Sequence, residues 1–142
     1  MHLIENLSKQ DRSVFAALAE IASGMHPVGR CRVAAAIKYK RTVVIDTNSY
    51  NTDPFQLKYS RDSDKICLHA EISALKSAAK LLLPKELQRS CMYVLRLKHP
   101  SGTKNPLIYG LAKPCSACER AIRDFGVGRV LFTTDFGGIE RL

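Results

Sequence analysis

Apolar and polar positions alternate along this chain with two different periods. Val14, Phe15, Leu18, Ala19 and Ile21 fall on one face of a helix predicted over residues 13–23, which Gly24 and Pro27 end. From Ala70 onward, Ile72, Leu75, Ala79 and Leu82 recur at spacings of three and four, a second amphipathic helix. Residues 32–38 and 42–47 are short apolar or β-branched runs around the polar turn 38–41, which reads as a hairpin. Residues 48–66 are rich in polar side chains and read as a loop leading into the second helix. Further strands are expected at 91–97, 129–133 and, briefly, 107–109 and 139–142. Pro100, Ser101 and Gly102 make 98–105 turn-like, and Pro114 starts a third helix. Strands interleaved with helices in this order predict an α/β, three-layer α/β/α architecture with a mixed central sheet and a hairpin at one end.

Composition narrows the class. At 142 residues and 46% apolar content, the expectation is one domain over 1–142 with a core of its own. There is no internal repeat, linker or low-complexity tract. No apolar run approaches the ~18 residues that cross a membrane. The start, Met1 to Asn6, lacks the basic region and apolar stretch of a signal peptide, so a cytoplasmic location is expected. Five cysteines at scattered spacing argue against a disulfide framework and for a reducing compartment. Cys31, Cys67 and Cys91 read as small buried apolar residues. A net charge of +9 points to an anionic substrate, either a nucleotide or a nucleic acid strand.

Two short motifs carry chemistry. Cys115 and Cys118 are three apart, so on one helix they face the same way and reach a single ion. At the positive end of a helix dipole their thiolates are favoured. His69 and Glu71 fall at the N-terminal end of the second helix. A catalytic zinc takes three protein ligands and keeps a fourth position for water, and one His with two Cys is a known set. His69, Cys115 and Cys118 are therefore the candidate ligands. Glu71 is left over as a carboxylate near the water, suited to carry protons. Taken separately the pieces are weak, because C-x-x-C also occurs in thioredoxin-like and structural zinc sites. A closed structural zinc would need a fourth ligand, for which Cys67 and His26 are the spare residues.

Together, His69-Ala70-Glu71 and Pro114-Cys115-Ser116-Ala117-Cys118 form the H-x-E…P-C-x-x-C signature of the zinc deaminases that act on nucleobases. The chain resembles the cytidine/deoxycytidylate deaminase superfamily, on the branch with His as first ligand. The likeness runs over about residues 32 to 137, with 43–48 resembling the strand that ends in a substrate-binding Asn and 121–132 the later helix, glycine stop and strand. The resemblance implies a cytidine-deaminase-like fold, Zn²⁺ as cofactor, and a zinc hydroxide that attacks C4 while Glu71 shuttles protons. It also implies that Asn48 hydrogen-bonds the sugar, that the Ala70 backbone N–H holds the base's carbonyl oxygen, and that the chain forms a homo-oligomer. Asn51 is the rival to Asn48, and a turn-starting role is the plain alternative for either.

Three functions follow from these readings. The first is a hydrolytic deaminase of a free cytosine nucleotide or nucleoside, with deoxycytidylate the favoured substrate. The second acts on a base within single-stranded DNA or RNA; its usual aromatic platforms are thin here, with no Trp and only Tyr39, Tyr50, Phe55 and Tyr59 near basic residues. The third is a non-enzymatic domain with a structural zinc, against which Glu71 speaks. Lys58, Arg61 and Lys65, lying between Asn48 and His69, are the candidate phosphate contacts, with an ordinary solvated loop as the alternative.

Overall fold

In a computed structural model, residues 2–3, 7–27, 31–60, 68–100 and 106–142 are described. Among them one mixed sheet is flanked by helices on both faces. The strands are β1 (His2–Leu3), β2 (Arg32–Tyr39), β3 (Thr42–Thr47), β4 (Cys91–Lys98), β5 (Ile108–Gly110), β6 (Arg129–Thr133) and β7 (Ile139–Arg141). Their order is β1-β7-β6-β4-β2-β3, with β5 also paired to β4. The β4–β6 pair is parallel and the other pairings are antiparallel. The hairpin predicted around 38–41 closes β2 on β3, with Lys40 in the left-handed region at φ 53°.

The helices are α1 (Lys9–Gly24), α2 (Pro54–Tyr59), α3 (Ala70–Ala79), α4 (Pro84–Leu87) and α5 (Ser116–Phe125). Strand alternation sends residues to two cores. Ala34, Ala36, Tyr93, Leu95 and Leu131 meet Val14, Phe15, Leu18 and Ala22 of α1. Ala35, Ile37, Met92, Val94, Val130 and Phe132 meet Ile72, Leu75 and Ala78 of α3 and Cys118, Ala121 and Ile122 of α5. The predicted three-layer α/β/α architecture is the one observed.

Several boundaries differ from expectation for identifiable reasons. α1 begins four residues before 13, because Ser8 caps it by accepting the Asp11 N–H at 3.0 Å. Within the expected loop 48–66, Asp53 caps the short helix α2 by accepting the Phe55 N–H at 2.8 Å, and Pro54 follows at its first turn. In α3 the inward residue of the last turn is Ala78, whereas Ala79 is exposed and Leu82 is buried beyond the helix end. The helix closes at Lys80, so the three-four spacing was extended one turn too far. α5 ends as predicted at Gly126, whose φ of 79° is the left-handed conformation that glycine adopts without strain. No helix among the described residues is long and apolar enough to cross a membrane.

Candidate active site

α3 and α5 lie on the same face of the sheet, and both begin at one point. His69 is the N-cap of α3 and Cys115 the N-cap of α5. Pro114 therefore stands just outside α5, not in its first turn. Cys118 follows one turn into α5, on the same side as Cys115. The His69 Nδ1 lies 3.3 Å from Cys118 Sγ and 3.6 Å from Cys115 Sγ. The three potential ligand atoms all fall within 4.8 Å of one another.

The second turn of the chain around this point is made by α2, which the sequence reading had missed. Gln56, wholly buried, accepts the His69 backbone N–H at 3.0 Å and donates to Ser60 Oγ at 2.9 Å. Arg120 of α5 donates to the Tyr59 carbonyl, tying α5 to α2. Lys76 of α3 pairs with Asp53 at 2.5 Å. The backbone at the start of α3 is thus braced by α2, and α5 is tied to the same helix through the Arg120 side chain. The signal for this was an Asp-Pro dipeptide opening a helix inside a polar stretch.

Charge at the site is uneven. A hydrogen bond from Cys118 lowers the Cys115 thiol to about 3, against its burial and with help from His69. The same bond raises Cys118, as do burial and the nearby Glu71. Glu71, buried, is pushed above the usual carboxylate range by desolvation, with its own backbone N–H and His69 opposing. Two thiols and one imidazole converging this tightly form a soft donor set that fits zinc. Among the described residues no fourth ligand joins them. His26, one spare candidate, is exposed, and Cys67 lies outside the described residues.

A cavity of about 220 Å³ opens beside the ligand cluster, lined by His69 and Cys115, with Cys118 buried behind them. Cys31, Val33 and Asn48 form one wall, and Ala70, Glu71 and His69 form the floor. Val94 and Arg96 of β4, with Leu111, Ala112 and Lys113 after β5, form the other wall. Asn48, the residue after β3, does reach the cavity. Its Oδ1 accepts the Val33 N–H at 3.1 Å and its Nδ2 donates to the Cys31 carbonyl at 3.4 Å, so the amide also finishes the β2–β3 end. One amide hydrogen and one lone pair remain for a ligand. Asn51 is exposed and does not line the cavity.

Other expectations land elsewhere. Lys58 stands over the Tyr59 ring at 5.3 Å and borders a separate cleft with Arg120 and Arg123. Arg61 and Lys65 lie outside the described residues. Cys91 is buried as expected, whereas Cys31 is half-buried at the cavity wall. The larger depressions, of about 390 and 380 Å³, hold no metal-ligating cluster, so size does not locate the chemistry. Arg96 and Lys113 were not singled out from sequence. Arg96 shares strand parity with Met92 and Val94, which would have placed it on the α3/α5 face.

No curated protein matches the chain at a significant level. The family model for the cytidine and deoxycytidylate deaminase zinc-binding region, however, matches residues 8–134. That span includes both helix starts, all three ligands and both walls of the cavity. By that match the chain belongs to the cytidine and deoxycytidylate deaminase family, with His69, Cys115 and Cys118 positioned to hold its zinc.

Proposed function

We propose that the protein is a zinc-dependent hydrolase that deaminates a cytosine nucleotide or nucleoside, with deoxycytidylate the favoured substrate. The observation that carries this reading is Glu71: a buried carboxyl beside a three-ligand metal set, yet not one of the ligands. A structural zinc would have no use for it. When bound, zinc supplies Lewis acidity, lowering the pKa of a water from ~15.7 towards neutrality.

The rest of the chemistry falls to the chain. Glu71 takes one proton from the attacking water and passes it to the ring nitrogen N3. The C4–O bond forms, the C4–N bond breaks, and Glu71 delivers the second proton to the departing amine. Water and cytosine become uracil and ammonia, with no change of oxidation state. Burial raises the Glu71 pKa, which suits a group that must both accept and release a proton near neutral pH. The Ala70 N–H, in the first turn of α3, has no carbonyl one turn back, so it is free to receive the base's carbonyl oxygen. Asn48 offers its remaining amide hydrogen and lone pair to the sugar.

A nucleotide is preferred to a nucleoside because Arg96 and Lys113 line the cavity, where Glu71 is the one carboxylate among the described residues. No Phe, Tyr or Trp ring lines it among the described residues, which ranks a single-stranded nucleic acid second. The same reading takes 1–142 as one domain and expects a homo-oligomer, since symmetric assembly is common.

Product analysis by mass spectrometry tests the proposal. Zinc-loaded protein should convert deoxycytidylate to a product one dalton heavier, and Glu71→Gln should slow this by about 10²–10⁴ while retaining zinc. Silence towards cytidine, deoxycytidine and their monophosphates, with zinc bound, would reject it. Conversion confined to a cytosine-rich oligonucleotide would install the nucleic-acid reading instead.

A further inference from the structure

Arg96 is a cation of the cavity wall that keeps one guanidinium N–H without an acceptor in the fold. Its Nε is buried and has no hydrogen-bond partner, the one such side-chain atom among the described residues. A buried guanidinium N–H without an acceptor is costly and calls for an explanation. Asp135 feels the charge of Arg96 but is engaged by Lys98 Nζ at 2.7 Å and by the Leu111 N–H at 3.1 Å.

The arginine is also held in place. Its stem lies over Gly110, where a Cβ would come within 3.2 Å of Arg96 Cδ and 3.3 Å of its Cγ. Gly110 cannot easily retreat, because its carbonyl accepts from Thr133 Oγ1 at 2.7 Å. The same hydroxyl accepts the Arg96 backbone N–H at 3.1 Å. The side chain therefore rests on a glycine shelf, with its backbone pinned to β6. Lys113 brings a second cation to the same cavity.

We propose that Arg96, seated on Gly110 and assisted by Lys113, is the residue that selects a phosphate-bearing substrate, a cytosine nucleoside monophosphate. This rests on the deaminase reading above and deepens it. A planar guanidinium on the cavity wall, with an Nε–H that no residue accepts, matches a phosphate oxygen in both charge and hydrogen bonding. It moves the phosphate contact from the loop before His69 to β4 and the segment after β5.

Two measurements test it. In the zinc-loaded Glu71→Gln protein, where turnover does not interfere, binding of inorganic phosphate and of deoxycytidine monophosphate is titrated by calorimetry and phosphorus NMR. Arg96→Met should weaken both at least about tenfold, as expected for a lost charge-assisted hydrogen bond, and Arg96→Lys should restore part of the monophosphate binding. Gly110→Ala, which displaces the arginine stem, should fall between wild type and Arg96→Met. In otherwise wild-type enzyme, Arg96→Met should lower the ratio of kcat/KM for the monophosphate to that for the nucleoside by about tenfold or more.

Equal losses on monophosphate and nucleoside would mean that Arg96 reads the base or sugar, and would overturn the proposal. So would unchanged phosphate binding in a folded Arg96→Met protein, or a loss seen only with an oligonucleotide. Arg96-dependent phosphate binding without turnover of any cytosine compound would sustain this inference and reject the deaminase reading. Turnover with an unchanged monophosphate preference would do the reverse.

Discussion

Gln56 Oε1 accepts the backbone N–H of His69 at 3.0 Å, from a side chain with no exposure to solvent. His69 caps α3 without a side-chain cap bond of its own, so a buried glutamine completes the start of the metal-binding helix. Gln56→Leu keeps the volume and removes the acceptor. It should cost about 1–3 kcal/mol, the penalty for an unpaired buried donor. Zinc should also be lost to a competing chelator at lower concentration than in wild type. Thermal unfolding and chelator titration read the two effects, and unchanged values in both would show that the helix start is held elsewhere.

Asp11 ties α1 to the sheet. It accepts from the Tyr93 hydroxyl at 2.6 Å and from Arg129 at 3.1 Å. Burial alone pushes its carboxyl up, but bonds from Tyr93, Arg129 and Ser8 outweigh that and hold it below the ordinary 3.8. A carboxyl depressed on folding stabilises above its unfolded pKa, and that contribution is lost as pH falls through the lower native value. Wild type should therefore lose stability below about pH 4 more steeply than Asp11→Asn. Urea unfolding across pH 2–7 measures the two slopes; parallel curves would contradict the assignment.

Gly128 precedes β6 where that segment crosses the end of the turn before β4. A Cβ there would sit 2.2 Å from the Gln88 carbonyl oxygen, a backbone atom that cannot step aside. The Arg129 N–H donates to the Ser90 carbonyl at 3.2 Å beside it, fixing the approach. Gly128→Ala should destabilise by at least about 1–3 kcal/mol through forced displacement of the β4–β6 pair. Gly24→Ala, with nothing within 4 Å, is the matched control and should be nearly neutral. Similar melting temperatures for the two variants would refute the clash.

How much of this could be seen in the chain alone follows from the range of each interaction. Ligand spacing in 115–118 and the pairing of His69 with Glu71 are local, and a helix start carries both, so the metal site was readable. The β2–β3 hairpin and the Gly126 stop were readable for the same reason. α2 was hidden because its stabilising partners, His69 and Arg120, lie 13 and 61 residues from the atoms they bond. Asp11 was hidden because its bonds to Tyr93 and Arg129 span 82 and 118 residues, and a charged residue is not expected inside. The positive charge was plain from composition, but not that Arg96 and Lys113, and not Lys58, would line the cavity. That depends on the register of β4 against β2 and β5.

The ligand set joins parts of the chain far apart in sequence, since His69 and Cys118 are 49 residues from each other. A bound metal here is a removable cross-link that closes a long loop, equivalent in a chain-entropy picture to about 4 kcal/mol at that length. It clasps α3 to α5, both on one face of the sheet, and leaves α1 on the other face untouched. Chelation should accordingly soften the molecule one-sidedly. Amide hydrogens of α3 and α5 should exchange faster, while those of α1 and its partners in β2 and β4 keep their protection. The catalytic layer would then be ordered in proportion to the zinc at hand, on a scaffold that stays folded without it.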